Sequence, residues 1–213
     1  MHVTRAARWN PVSAALSVIG LCALIGLPFL RVAPNRMLSG EPVFFWNVLQ
    51  GPAALFLLLL IAFWILPFIA PRRPVLWLQA IIASALVVAC VALAGWQASL
   101  LANSETPFAR TSLGGAFWVL LVVFWLTATD AVQRLTLGLA ARMSLLTAVA
   151  LATGLLLATG ACDGLSIMKE YANRSDVFAA AIARHVQIVA LALLPTLCLG
   201  VPLGWWEIGR AHV

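Results

Sequence analysis

The sequence predicts an all-α fold, a polytopic helical membrane protein with about six transmembrane helices. The 213 residues are 63% hydrophobic and 9% charged, whereas soluble domains carry about 25% charged residues, so the apolar surplus must face lipid. Six uncharged runs approach or exceed the roughly 20 residues that a helix needs to cross about 30 Å of hydrocarbon. None shows the alternation over about 10 residues that is typical of barrel strands.

The six runs follow one another with short connections, apart from a polar segment before the last one. Tryptophans lie near the run ends, where an indole ring suits the headgroup layer; these are Trp9, Trp46, Trp77, Trp96 and Trp205. The runs are Pro11–Leu30, Val43–Ala70, Pro74–Ser104, Thr111–Thr129, Met143–Cys162 and Val186–Trp206.

The first run has the basic start of a secretory signal peptide, with Arg5 and Arg8 before it. However, "LPFLRVAPNR" contains no small-x-small cleavage site, and the run is longer than a usual signal core. We therefore interpret it as a retained helix.

The charges fit a membrane setting but leave the orientation open. The net charge of +6 indicates basic loops beside anionic headgroups rather than a surface for nucleic acid. With a cytoplasmic amino terminus, the Lys and Arg residues divide equally between the two sides, so the positive-inside rule gives a tie. The tight basic hairpin "APRRP" favours the inside.

The sequence contains no recognisable catalytic or metal-binding motif. The four cysteines and three histidines are scattered, with no C-x-x-C pair and no second ligand at helical spacing. Asp130 and Asp163 each follow the end of a run, where we interpret them as interfacial carboxylates, with Arg134 as a neighbour of Asp130. We expect no enzyme activity, no cofactor and no metal.

The polar segment from Leu165 to His185 precedes the last run. Ser175 predicts a helix N-cap and Asp176 suits the positive end of the helix dipole. Apolar residues then recur at helical spacing, which predicts a helix that begins in the interface and enters the bilayer. Gly200, Pro202 and Gly204 are expected to break it at the far side.

Two motifs in this part of the chain resemble the membrane core of osmoprotectant ABC importers, those for glycine betaine, choline and carnitine. "LSIMKEYANRSDVFAAAIARH" resembles the segment that opens this core, and "GVPLG" resembles an element near its cytoplasmic face. Upstream, "NPVSAALSVIGLCALIGLPFLRVAPNRMLSGE" and "ARTSLGGAFW" resemble extra amino-terminal helices of one subgroup of these permeases. The family-signature residues are Lys169, Glu170, Tyr171, Asn173, Arg174, Asp176, Gly200, Pro202 and Gly204.

The resemblance implies a domain organisation and a set of partners. Residues 1–162 would form a five-helix membrane region, and residues 163–206 a periplasmic interfacial helix and the first helix of the permease core. The partners would be an ATP-binding cassette ATPase, a periplasmic substrate-binding protein, a second permease subunit and membrane lipid, with no nucleic acid. The protein would lie in the bacterial inner membrane with its amino terminus in the cytoplasm.

The chain departs from the resembled family after the "GVPLG" element. The further core helices and the loop that docks on the ATPase are missing, so we expect a truncated permease, and we interpret residues 207–213 as a non-native tail. A non-transporting membrane scaffold or assembly module is the alternative. A multi-pass membrane enzyme is disfavoured, because its spans would carry ionisable groups.

Overall fold

The chain folds mainly into helices, in agreement with the predicted helical membrane protein. The computed structural model describes residues 9–35, 38–49, 53–101 and 109–210. Arg5, Arg8 and Arg36, which enter the charge comparison, and the last three residues of the tail lie outside these ranges. The helices are α1 (Pro11–Gly26), α2 (Ala53–Ile65), α3 (Arg73–Leu101), α4 (Gly115–Arg134), α5 (Leu139–Ala158), α6 (Ser166–Asn173) and α7 (Ser175–Arg210).

Four of these helices, α3, α4, α5 and α7, are long and apolar enough to cross a membrane. Helices α1 and α2 occupy the other two predicted runs but have only 16 and 13 residues, about 24 and 20 Å at 1.5 Å per residue. They are short because the chain leaves helical geometry at prolines. Pro28 follows α1, and Pro67 lies in a 3₁₀ turn, Leu66–Phe68, directly after α2.

Helix α1 packs on α4 through a stripe of small residues. Ser13, Ser17, Gly20 and Ala23 are all buried, and a Cβ atom on Gly20 would lie 3.3 Å from Val123 of α4. Small residues let two helix backbones approach closely, which is the main source of helix association in lipid.

Helix α3 is the central helix of this bundle, and a ladder of phenylalanine rings fills the space beside it. The rings of Phe63 and Phe124 lie 5.1 Å apart, centroid to centroid, in an edge-to-face arrangement, and Phe29 meets Phe117 at 6.0 Å. Such pairs contribute about 0.5–1.5 kcal/mol beyond the burial of their area. Gln97 of α3 donates a hydrogen bond of 2.9 Å to the carbonyl of Val48.

A small antiparallel sheet, which the sequence analysis did not predict, joins two connections between helices. Strands β1 (Leu30–Ala33) and β2 (Glu41–Val43) lie between α1 and α2, and β3 (Arg110–Leu113) lies between α3 and α4. The strand order is β2-β1-β3, with Val32 opposite Glu41 on one side and opposite Thr111 on the other. The sheet thereby ties together the ends of α1, α3 and the start of α4.

The chain divides into two compact units, Met1–Lys169 and Glu170–Val213. Most of the second unit is α7, a helix of 36 residues that is about 54 Å long and so exceeds the hydrocarbon thickness of about 30 Å. None of its side chains from residue 175 to residue 207 is buried.

Two details predicted for α7 are wrong. The helix does not break at Gly200, Pro202 and Gly204 but continues to Arg210, with Pro195 and Pro202 inside it. In lipid, leaving the helix would strand several backbone groups without water, which costs more than the one hydrogen bond a proline removes. The helix does begin at Ser175, but its cap is the preceding residue, because the carbonyl of Arg174 already accepts a hydrogen bond from the amide of Phe178.

Candidate functional site: the junction before the last helix

The junction, residues 159–169, consists of the connection after α5 and the first turn of the polar helix α6 (Ser166–Asn173), and it packs closely on α3. Helix α5 ends where Gly160 takes a left-handed conformation with φ of +77°, which glycine adopts without strain. Ala161 and Cys162 then lie directly against Gly95 of α3. A Cβ atom on Gly95 would come within 2.5 Å of the Ala161 carbonyl oxygen and 2.7 Å of the Cys162 sulfur.

A second glycine brings the junction against the backbone of α3 one turn further along. A Cβ atom on Gly164 would lie 2.7 Å from the carbonyl carbon of Ala98 and 2.8 Å from the amide nitrogen of Ser99. Two backbones therefore meet here with no side chain between them. This contact fixes the position of Gly164 against α3.

The end of the junction is fastened to the small sheet. Leu165 forms an isolated parallel bridge with Thr111 of β3, and the Lys169 ammonium donates a hydrogen bond of 3.3 Å to the Ala109 carbonyl. Leu165 itself is buried, with 4% of its surface exposed. The junction is thus held at three points, by Gly95, by Gly164 and by the sheet.

Cys162 is the buried cysteine of the junction. It is fully buried, and burial raises the pKa of its thiol above the ordinary value, with the Asp163 carboxylate adding to the increase. Its sulfur lies 3.9 Å from the Val91 carbonyl oxygen. The side chain therefore stays a neutral thiol in contact with α3.

The predicted family-signature residues fall into two groups on the structure. Lys169, Glu170, Tyr171 and Asn173 lie on α6, Arg174 lies in the turn, and Asp176 is in the first turn of α7. The rings of Tyr171 and Phe178 meet edge to face at 5.8 Å, which links α6 to α7.

The second group, Gly200, Pro202 and Gly204, lies along the carboxyl-terminal half of α7. Asp176 and Gly200 are about 36 Å apart along the helix axis at 1.5 Å per residue. A Cβ atom on Gly200 or Gly204 would meet nothing within 4 Å. The structure therefore does not bring the two groups together.

A polar cluster at the opposite end of the first unit joins α1 to α4. The Asn10 amide donates a hydrogen bond of 2.7 Å to an Asp130 carboxylate oxygen. The same oxygen accepts hydrogen bonds of 2.9 Å from Arg134 and 3.3 Å from Ser13. The Asp130–Arg134 pair confirms the neighbour expected from their spacing. Asn10 was missed, although an asparagine directly before Pro11 is a recognisable cap signal, and its side chain does accept from the Val12 and Ser13 amides.

Chemically, these sites hold and orient helices. Among the residues that the structure describes, no group of three or more His, Cys, Asp or Glu side chains is placed to bind a metal ion. The described contacts of the two sites are backbone contacts together with the Cys162 thiol, the Lys169 ammonium group, the Asn10 amide, the Ser13 hydroxyl and the Asp130–Arg134 ion pair.

One comparison with known proteins finds a match. Residues 8–168 match the family model described as ABC transporter permease YehY, N-terminal domain. This agrees with the resemblance to an ABC permease drawn from the sequence. Neither a curated protein nor a solved structure matches the chain significantly.

Proposed function

The chain belongs to the family of the ABC transporter permease YehY N-terminal domain. We propose that it acts as a permease subunit of an importer for quaternary-ammonium osmoprotectants such as glycine betaine. Permeases of this class transport a solute and do no covalent chemistry on it. The transport role follows from the family, and the choice of solute rests on the resemblance of "KEYANR" and "GVPLG" to osmoprotectant permeases.

The proposal divides the chain between an accessory part and the start of the transport core. Residues 1–162 form the amino-terminal region, and residues 163–206 carry the periplasmic interfacial segment and the first core helix. Two observations support this division: the family match ends at residue 168, and α7 is apolar with none of its described side chains buried. Such a helix leaves its whole surface for neighbouring helices or lipid.

Within this scheme the family-signature residues have two roles. The first role is that of the periplasmic segment before the core helix, formed by Lys169, Glu170, Tyr171, Asn173, Arg174 and Asp176. Gly200, Pro202 and Gly204 lie near the cytoplasmic end, where their open surface suits close packing of further core helices. The working partners are an ATPase, a second permease subunit and a periplasmic substrate-binding protein, in the bacterial inner membrane with the amino terminus in the cytoplasm.

Uptake of labelled glycine betaine tests the proposal. The host is a strain that lacks its own osmoprotectant importers. It carries the natural locus that encodes this chain, either intact or with the coding sequence of this chain deleted. We expect uptake at high osmolarity only when the chain is present. Excess unlabelled choline or glycine betaine should compete, whereas glycine, which lacks the methyl groups, should not.

The amounts of the ATPase and the binding protein, measured in the same cells, separate transport from scaffolding. If the chain is a transport subunit, its removal should abolish uptake while the ATPase and the binding protein stay at their normal amounts. Loss of uptake in parallel with loss of the partners would favour the scaffold. Unchanged uptake without the chain would overturn the proposal.

A further inference from the structure

A crevice opens between α3, α4 and α5 at the end of the bundle that carries Arg72 and Arg73. Its cavity volume is about 150 Å³, below the range of about 300–1,000 Å³ that is typical of sites enclosing a whole small molecule, so it has room for only part of a lipid. Its walls are apolar over most of their length and are formed mainly by Trp125 and Val132 of α4 and by Leu145, Leu146 and Val149 of α5. From Gln133 to Trp125 the crevice extends about 12 Å along α4, toward the middle of the membrane.

Polar groups gather at the outer end of the crevice. Arg142, Gln133 and Thr129 line it there. The Arg142 Nε donates a hydrogen bond of 3.0 Å to the Leu137 carbonyl, and this bond holds the guanidinium in place. Its other N–H groups have no partner among the described residues, and a guanidinium fork matches the geometry of a phosphate.

The local charge balance at this end favours an anion. In the described part of the first unit, the acidic side chain at this end is Asp130. It is already paired with Arg134 at 2.9 Å. Helix α5 begins beside the crevice with no acidic residue in its first turn and no side-chain cap. Arg142 therefore stands near the positive end of a helix dipole, an unfavourable place for a cation that a bound anion would relieve.

We propose that this crevice binds one anionic phospholipid. Its phosphate pairs with Arg142 and lies beside the Gln133 amide, and one acyl chain follows the apolar wall from Val132 to Val149. A bundle whose outer surface is in lipid meets phospholipid at every position, so the distinctive property of this site is selection by headgroup charge. Basic pockets between membrane helices select anionic lipids in this way.

A second crevice in the same unit provides an internal comparison. It lies between α2, α3 and α5, with a cavity volume of about 570 Å³, and its lining residues, such as Leu59, Trp96 and Thr159, include no lysine or arginine. We expect lipid there to be held without preference for headgroup charge.

Native mass spectrometry of the full chain, purified in a neutral detergent, tests the proposal. The chain is offered phosphatidylglycerol and phosphatidylethanolamine with identical acyl chains. We expect one phosphatidylglycerol to be retained with about a tenfold preference, the worth of one charge-assisted pair of about 1.4 kcal/mol. Arg142→Gln should abolish the preference, whereas Arg72→Gln, which removes the same charge at the same end outside the crevice, should keep it.

Two further arms separate a lipid site from a simple anion site. Val149→Trp fills the apolar wall and should lower retention several-fold with the charge intact, whereas Ala150→Trp, at a neighbouring position that does not line the crevice, should not. Millimolar inorganic phosphate should leave the bound lipid in place. Equal retention of the two lipids, equal behaviour of the Arg142 and Arg72 variants, or displacement by phosphate would each overturn the proposal.

Discussion

Gly95 is the residue through which α3 touches the junction, and its missing side chain leaves room for Ala161 and Cys162. A methyl group there would come within 2.5 Å of a carbonyl oxygen, and backbone cannot move aside as a flexible side chain can. Overpacking of this kind costs about 1–3 kcal/mol. The cost would fall on the junction, which has to shift away from α3.

Gly95→Ala should therefore make Cys162 reactive. In the native chain its raised pKa leaves little thiolate at neutral pH, and the thiolate is the reactive form. We expect the labelling of Cys162 by a soluble maleimide to rise several-fold in the Gly95→Ala variant. The exposed Cys22 and Cys198 are replaced by serine, and the buried Cys90 remains as a reference.

Gly154→Ala is the matched control, since a Cβ atom there meets nothing within 4 Å. Labelling should also rise with pH in the parent chain, because a raised pKa keeps the thiol neutral until higher pH. Equal labelling of the two glycine variants would contradict the close contact at Gly95.

At the scale of the elements, the sequence predicted helices well and missed the strands. The long apolar runs coincide with helices, because hydropathy over about 20 residues is a strong signal. The strands have only three or four residues, too few for an alternation to be recognised. Their pairing joins β1 to β3 across the sequence, a contact that no local pattern encodes.

The same limit applies to the candidate sites. The Asp130–Arg134 pair was predictable from its spacing of four residues, whereas the bond from Asn10 to Asp130 spans 120 residues. The junction contacts at Gly95 and Gly164 were missed, since a glycine in an apolar run gives no sign of which backbone approaches it. The break expected in α7 followed local rules for Gly and Pro that the bilayer overrides.

Helix α7 allows a test of whether its glycines serve the chain or an assembled permease. Gly200 faces open space, so Gly200→Leu should leave insertion and thermal stability of this chain within about 0.5 kcal/mol of the parent. In the complete transporter, uptake should fall strongly if another core helix packs there. Leu199→Ile at the neighbouring exposed position is the control. Full uptake by the Gly200→Leu variant would remove these residues from the transport proposal.

At the scale of the whole molecule, the first unit has two distinct ends. The sheet and the junction lie at one end, and the Asn10–Asp130 cluster with Arg72 and Arg73 lies at the other. Trp77 and Trp96 are both exposed on α3, 19 residues and so about 28 Å apart. This spacing is close to the hydrocarbon thickness of about 30 Å and places an indole at each interface.

Cysteine labelling in intact cells tests which end faces the cytoplasm. With the amino terminus inside, Asn35→Cys in the sheet connection should react with a membrane-impermeant maleimide, and Arg73→Cys should react only after the cells are opened. Asn103, a further site expected to face the periplasm, lies outside the described residues. The reverse pattern would contradict the proposed orientation but would leave the two-ended architecture intact.

The pairing of β1 with β3 also determines the order in which parts of the fold can form during synthesis. Val32 and Thr111 face each other in the sheet, so β1 leaves the ribosome about 80 residues before its partner, a delay of roughly 4–16 seconds at 5–20 residues per second. With the proposed cytoplasmic amino terminus, α2 and α3 would insert while one edge of the β1–β2 hairpin stays unpaired on the periplasmic side of the membrane. The sheet closes only when the start of α4 arrives. The first four helices therefore mature together, and a translocation pause between α3 and α4 would leave an exposed edge ready to pair with the wrong chain.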